Sequence, residues 1–145
     1  MQSMRRGFSL AELAAVLAIV SVGTAVTLPH ARAWLDWVAV DRAAVEITTA
    51  LALARHAAVM DGSRAHLLIA ADSLRLDRWG AGAWLPFARW AGPAHHGVTV
   101  ELSNPEVVFI PTGIAWGLSN TRVVLRRGTK VATLTVSRVG RVKRW

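Results

Sequence analysis

Two places in the chain carry charge that needs explaining. The first is Glu12, four residues inside Phe8–Leu28, a run of 21 residues in which it is the only ionisable side chain. A carboxylate inside so apolar a segment is costly unless a cation answers it, so its chemistry is charge pairing in a low dielectric. No basic residue lies within the run, and the partner must come from outside it. The second place is Gly140-Arg141-Val142-Lys143-Arg144-Trp145. Alternate residues of an extended strand share a face, so Arg141 and Lys143 are expected on one side. Arg144 and Trp145 add a further cation and a flat ring. That set suits an anion, and phosphate is one of those it could contact. Lys143 would contact it as a point charge, without the bidentate fork of an arginine.

The rest of the charge follows the same division. After Glu106 there is no acidic residue, while eight Arg and Lys follow, from Arg122 to Arg144. The formal charge of +8 therefore resides in residues 107–145. Such asymmetry points to an anionic partner (nucleic acid, lipid headgroups or an acidic protein) or else to a solvated basic sheet face. There is no cysteine, which excludes disulfides and thiolate metal sites. No catalytic constellation and no glycine-rich phosphate loop emerges. His95-His96 are adjacent and lack a third ligand at metal-site spacing. Ser9 and Ser21 fall in the apolar run, and Asp72 and Asp77 are expected as turn and surface residues. No cofactor is implied.

The elements that position these residues can be read from periodicity. At about 1.5 Å per residue, Phe8–Leu28 is long enough to cross a membrane as a helix. Arg5 and Arg6 precede it, which would keep that side cytoplasmic and export the rest. The rival reading is a secretory signal peptide ending at Ala31-Arg32-Ala33, for which Glu12 would be a pointless expense. Pro29 is a place for a kink. Beyond it Trp37, Val40, Ala44, Ile47, Leu51, Ala54 and Ala58 recur at spacings of three and four, one face of an amphipathic helix. Arg42 and Glu46, one turn apart, are placed to pair. Asp61-Gly62 ends the helix.

From Arg64 the period becomes two. Residues 65–70 and 73–79 read as a hairpin, and 98–102, 107–110, 121–127, 130–137 and 141–144 as further strands. Arg127-Gly128-Thr129 reads as a tight turn. The fold class is α+β: a long helix about 8–60, then an antiparallel β domain, with roughly 115 residues left for one core once the membrane segment is set aside. Residues 79–97 carry Trp79, Trp84, Phe87 and Trp90 among Gly, Ala and Pro. They read as a loop folded on the sheet as a satellite core, or as a contact surface in which Trp84, Phe87 and Trp90 meet a partner.

Gly7-Phe8-Ser9-Leu10-Ala11-Glu12-Leu13, behind a basic leader and ahead of a long apolar run, resembles the processing site of type IV pilins and type II secretion pseudopilins. The resemblance implies a leader, residues 1–7, cut by prepilin peptidase after Gly7, with Phe8 then N-methylated. It implies a transmembrane half at 8–28, an amphipathic half at 29–60 and a β domain at 61–145. Glu12 would pair with the N-terminal ammonium of a neighbouring subunit. Phe109-Ile110-Pro111-Thr112-Gly113 and Ser137-Arg138-Val139-Gly140-Arg141-Val142 are similar to the C-terminal half of the GspH/FimT family. That family contains minor pseudopilin H of type II secretion and minor pilins of type IV pili. The implied protein is not an enzyme but an assembly subunit. It would be single-pass in the inner membrane with a periplasmic domain, and its partners would be other pseudopilins or minor pilins and secreted cargo. Some FimT-type members bind DNA through a Gly-Arg-x-Arg tail. By that likeness Arg141, Lys143 and Arg144 are candidate DNA contacts, although Lys143 departs from the pattern.

Overall fold

The structure, a computed structural model, describes residues 9–117 and 120–145. One helix, α1 (Leu10–Met60), contains Pro29 and is continuous across it. The chain divides into two compact units between Leu35 and Asp36.

The first unit is the apolar part of α1. An 18-residue window has a mean hydropathy of 2.0 and none of it is buried, so this helix is long and apolar enough to cross a membrane. Its hydroxyls do not compromise that. Ser21 Oγ donates to Leu17 O (2.7 Å), Thr24 Oγ1 to Val20 O (2.7 Å) and Thr27 Oγ1 to Gly23 O (2.9 Å). Each of these three hydroxyls is satisfied within its own helix, as a hydrocarbon environment would demand.

The second unit packs the remainder of α1 with nine strands among the described residues. β1 (Ala65–Ile69), β2 (Ser73–Gly80), β3 (Ala83–Ala91), β5 (Glu106–Phe109) and β6 (Ala115–Trp116) form one sheet in the order β3-β2-β1-β5-β6. β4 (Thr99–Leu102), β7 (Thr121–Arg127), β8 (Lys130–Val136) and β9 (Val142–Arg144) form the other, in the order β4-β7-β8-β9. Every pairing is antiparallel. The α+β pilin-like expectation holds. One core unites the inward faces of both sheets with a helix face made largely of alanine: Ala43, Ala44, Ala50, Ala54, Ala57 and Ala58, with Ile47 and Leu51 between them. Leu67, Leu76, Phe109, Leu125 and Leu134 fill the space opposite.

The predicted stripe is buried from Val40 to Ala58, but Trp37 is not part of it. The buried face opens at Ala39 and Val40, and Trp37 is 51% exposed. Glu46 does not pair with Arg42; its carboxylate meets His96 Nε2 at 2.9 Å. Asp77 is not a surface residue. Register places it opposite His66 on one side and Pro86 on the other, and it is 4% exposed, with Arg75 Nε donating to Oδ2 at 3.0 Å.

The largest departure is residues 79–97, which contain strand β3 and a 3-10 turn, Pro93–His96, rather than one loop. Ala81 and Gly82 both adopt positive φ (51° and 82°) and close a two-residue hairpin between Gly80 and Ala83. Pro86 is tolerated because β3 is an edge strand and pairing is irregular there. Asp77 faces Pro86 while Leu76 faces Ala88, so Phe87 is the extra, bulged residue.

Two turns meet beside Arg55 of α1. In one, Gly113 N–H donates to Ile110 O (2.8 Å). In the other, Gly140 N–H donates to Ser137 O (2.9 Å). Both glycines hold positive φ, 76° and 74°. A Cβ on Gly140 would lie 2.7 Å from Gly113 O and 3.3 Å from Arg55 Cδ. The Gly140→Ala variant should therefore lose about 2–4 kcal/mol of stability, from left-handed strain plus overpacking. Gly62→Ala, with φ +58° but open space around it, should lose only about 1–2 kcal/mol. Chemical denaturation of both variants in detergent checks this. Equal losses would mean that the contact between the two turns contributes nothing.

Candidate functional site

Two candidate sites follow from the sequence, and they lie in different units. Gly7 and Phe8 lie outside the described residues, so the first begins at Ser9. Ser9 N–H donates to Glu12 Oε2 at 2.9 Å, and Glu12 N–H donates to Ser9 Oγ at 3.2 Å. This reciprocal pair is a capping box, Ser-x-x-Glu, which satisfies two backbone donors at the start of α1. It also supplies what the sequence analysis missed, a local hydrogen-bond partner for Glu12. The signal was present in the spacing of Ser9 and Glu12. One neutral N–H dipole, that of Ser9, offsets only part of the cost of a carboxylate in an apolar segment, which leaves a role for a cation from outside it.

The second site is the basic region after Glu106. Part of the positive charge in the second unit is engaged by carboxylates. Asp41 Oδ1 accepts Arg144 Nη1 at 2.7 Å, Asp36 Oδ1 meets Arg127 Nε at 2.9 Å, Asp61 Oδ2 meets Arg78 Nη1 at 2.6 Å, and Glu101 Oε1 meets Arg126 Nε at 3.5 Å. Arg144 is thus directed to α1. Arg55, Arg122, Lys130, Arg138, Arg141 and Lys143 have no carboxylate within ion-pair distance among the described residues.

Arg141 and Lys143 do not form a single face. Arg141 precedes β9, in the turn where its N–H donates to Ser137 Oγ at 3.1 Å. With Gly140 and Val142 it lines an open groove of about 600 Å³ against Leu51, Arg55 and His56 of α1. Lys143 sits opposite Thr135 on the other side of the sheet, its Nζ 3.5 Å from the ring centroid of Trp145. Strand alternation does not carry through to Arg141, because the turn at Ser137–Arg141 interrupts the extended backbone before it. Arg55, which sequence spacing left unmarked, is the residue against which the Gly113 and Gly140 turns both close.

The three aromatics of the partner-contact expectation do not make one patch. Trp84 is exposed beside Trp79 (ring centroids 5.2 Å apart) and His66 (5.3 Å). Phe87 is exposed with the Arg78 guanidinium 3.8 Å above its ring. Trp90 pairs with Leu74 and turns toward the core, where it walls a groove with Ala50, Leu53 and His96. The His95 and His96 rings meet edge to face at 5.4 Å. Among the described residues no group of three or more His, Asp or Glu side chains is arranged to hold a metal ion.

The comparison with known proteins agrees with this architecture. Among solved structures, the type IV minor pilin FimU of Pseudomonas aeruginosa strain PAO1 matches in two crystal forms, each at 17% sequence identity. The TM-scores are 0.62 and 0.61; each match covers 72% of this chain, and 86% and 91% of the FimU chains. At that identity the likeness is one of fold. No curated protein sequence matches the chain. The family model described as type II transport protein GspH matches residues 43–140, from the buried face of α1, through Gly113, to Gly140 against Arg55. With well over half its length matched, the chain belongs to the GspH family.

Proposed function

We propose that this GspH-family chain is a minor pseudopilin of a type II secretion pseudopilus, a structural subunit rather than an enzyme. In this reading α1 anchors it in the inner membrane as a single span, with Arg5 and Arg6 cytoplasmic and the β domain periplasmic. Prepilin peptidase cuts after Gly7, and the new N-terminal residue, Phe8, is methylated. Glu12 then pairs with the N-terminal ammonium of a neighbouring subunit and sets axial register, which helps to initiate the filament and supports protein export. The observation that carries the reading is Glu12 itself, the one ionisable side chain in a membrane-length segment of a GspH-family protein. Trp84, exposed on the edge strand β3, and Phe87, exposed at its bulge, are two separate contact points offered to other pseudopilins or to secreted cargo. Trp90 contributes through its groove.

A second reading is a minor type IV pilin that binds DNA during uptake. It is favoured by the basic side chains left without carboxylate partners, Arg141 and Lys143 among them.

Two expectations test the main reading. Intact-mass analysis of the protein from membranes should show a chain beginning at Phe8 with one added methyl group, and Gly7→Val should leave the leader attached. A full-length, unmethylated wild-type chain would refute processing. Glu12→Ala should still insert in the membrane but should cross-link to neighbouring pseudopilins at least tenfold less, a coupling of about 1.4 kcal/mol. Ser9→Ala should cost the helix end only about 1 kcal/mol and leave cross-linking within a few-fold of wild type. If Ser9→Ala is as severe as Glu12→Ala, capping rather than pairing between subunits is the role of the carboxylate.

A further inference from the structure

The outer face of the β4-β7-β8-β9 sheet has a composition that the tail motif alone does not reveal. Strand alternation turns Val123, Leu125, Leu134 and Val136 into the core. It turns Arg122, Thr133, Thr135 and Lys143 outward. Register aligns them in two cross-strand rows. In one, Arg122 pairs with Thr135 and Thr135 with Lys143. In the other, Val124 pairs with Thr133, whose backbone exchanges hydrogen bonds with Trp145 in both directions (2.9 and 3.3 Å). Arg122, Thr133, Thr135 and Trp145 line a shallow depression of about 460 Å³. Trp145 is 70% exposed, and Lys143 Nζ lies over its ring.

We propose that this face binds single-stranded nucleic acid, with Arg122 and Lys143 holding phosphates and the Trp145 ring stacking a base. The proposal deepens the DNA-binding reading and moves its contacts from Arg141 and Arg144 to the sheet face. Charge complementarity selects a polyanion. Arg122 and Lys143 have no carboxylate partner among the described residues, and Glu101, the acid of this face, is engaged by Arg126. A second copy of the chain is a poor occupant, because seven of its eight carboxylates from Asp36 onward already meet Arg or His within 4 Å, Asp72 being the exception. The ring selects the form of polyanion. A base can stack on Trp145 only if it is not already stacked in a duplex, and an exposed aromatic on a basic sheet is how single strands are held without sequence preference. The threonine hydroxyls add neutral donors between the cations.

The test uses the full-length protein in detergent micelles and fluorescence anisotropy of a labelled oligo-dT strand across a salt series. A duplex of equal length and heparin serve as competitors. The single strand should bind more tightly than the duplex. Trp145→Ala should weaken it by on the order of tenfold to a hundredfold, with Trp145→Phe restoring most of the loss. Arg122→Ala should lower the slope of log K against log salt by about 0.7, the loss of one phosphate contact to a single strand. Arg89→Ala, which removes an exposed arginine from β3, should bind as wild type. If binding is lost with Arg141→Ala but persists in the Arg122 and Trp145 variants, the sheet-face assignment is wrong while the DNA-uptake reading stands. Heparin displacing the strand, with Trp145→Ala unchanged, would reduce the face to a charge surface and overturn the stacking. No binding of strand or duplex by the wild type would overturn both readings.

Discussion

The second unit depends on close approach. Its helix presents mostly alanine to two sheets, and two of its turns meet at glycine beside Arg55. Small side chains contribute little apolar area each, so the core relies on the sheets contributing the large ones, Phe109, Leu67, Leu76, Leu125 and Leu134. The arrangement has little slack. Ala54 and Ala58 are fully buried, and larger side chains there would have to displace a strand. At Gly140 the limit is stricter, since the carbonyl of Gly113 occupies the space a Cβ would need. Ala115 N–H donates to Arg138 O (2.9 Å) beside this contact, so the first sheet is tied to the turn that leads into β9 of the second.

This explains why two motifs far apart in sequence belong together. Phe109 to Gly113 ends a strand in a tight turn, and Ser137 to Arg141 does the same. Each glycine adopts a conformation that other residues take only with strain, and Arg55 lies against both. The long side chain of Arg55 packs where neither turn has a side chain of its own. Arg55 also lines the groove that Arg141 lines.

Much of this was legible in the sequence. The change of period from 3.6 to 2 near Arg64 separates helix from strands, and the core stripe from Val40 to Ala58 is as spaced. The hairpin between β7 and β8 turns at Gly128, which has φ +54°. What was illegible depends on register and partners. Pro86 and the surrounding Gly and Ala read as loop, because propensity does not register that an edge strand can dispense with a donor. Asp77 reads as surface, because its burial follows from the strands on either side of it. Glu46 has Arg42 one turn away, yet His96, fifty residues distant, takes its carboxylate. In the first candidate site the opposite happened. A hydrogen-bond partner of Glu12 three residues away, Ser9, was overlooked. In the second, a turn before β9 separated two cations that simple alternation put together.

Strand β3 has a consequence of a different kind. It is a nine-residue edge strand bearing exposed Trp84, Leu85 and Phe87, the profile of a template for runaway pairing between chains. A membrane-anchored protein is confined to two dimensions, where such an edge meets its copies often. Pro86 removes a backbone donor from the middle of that edge, and the bulge at Phe87 breaks its regular spacing. Copies of the chain brought edge to edge therefore do not zip into a continuous sheet. The irregularity that hides the strand from a reader of the sequence also hides it from other copies of the chain.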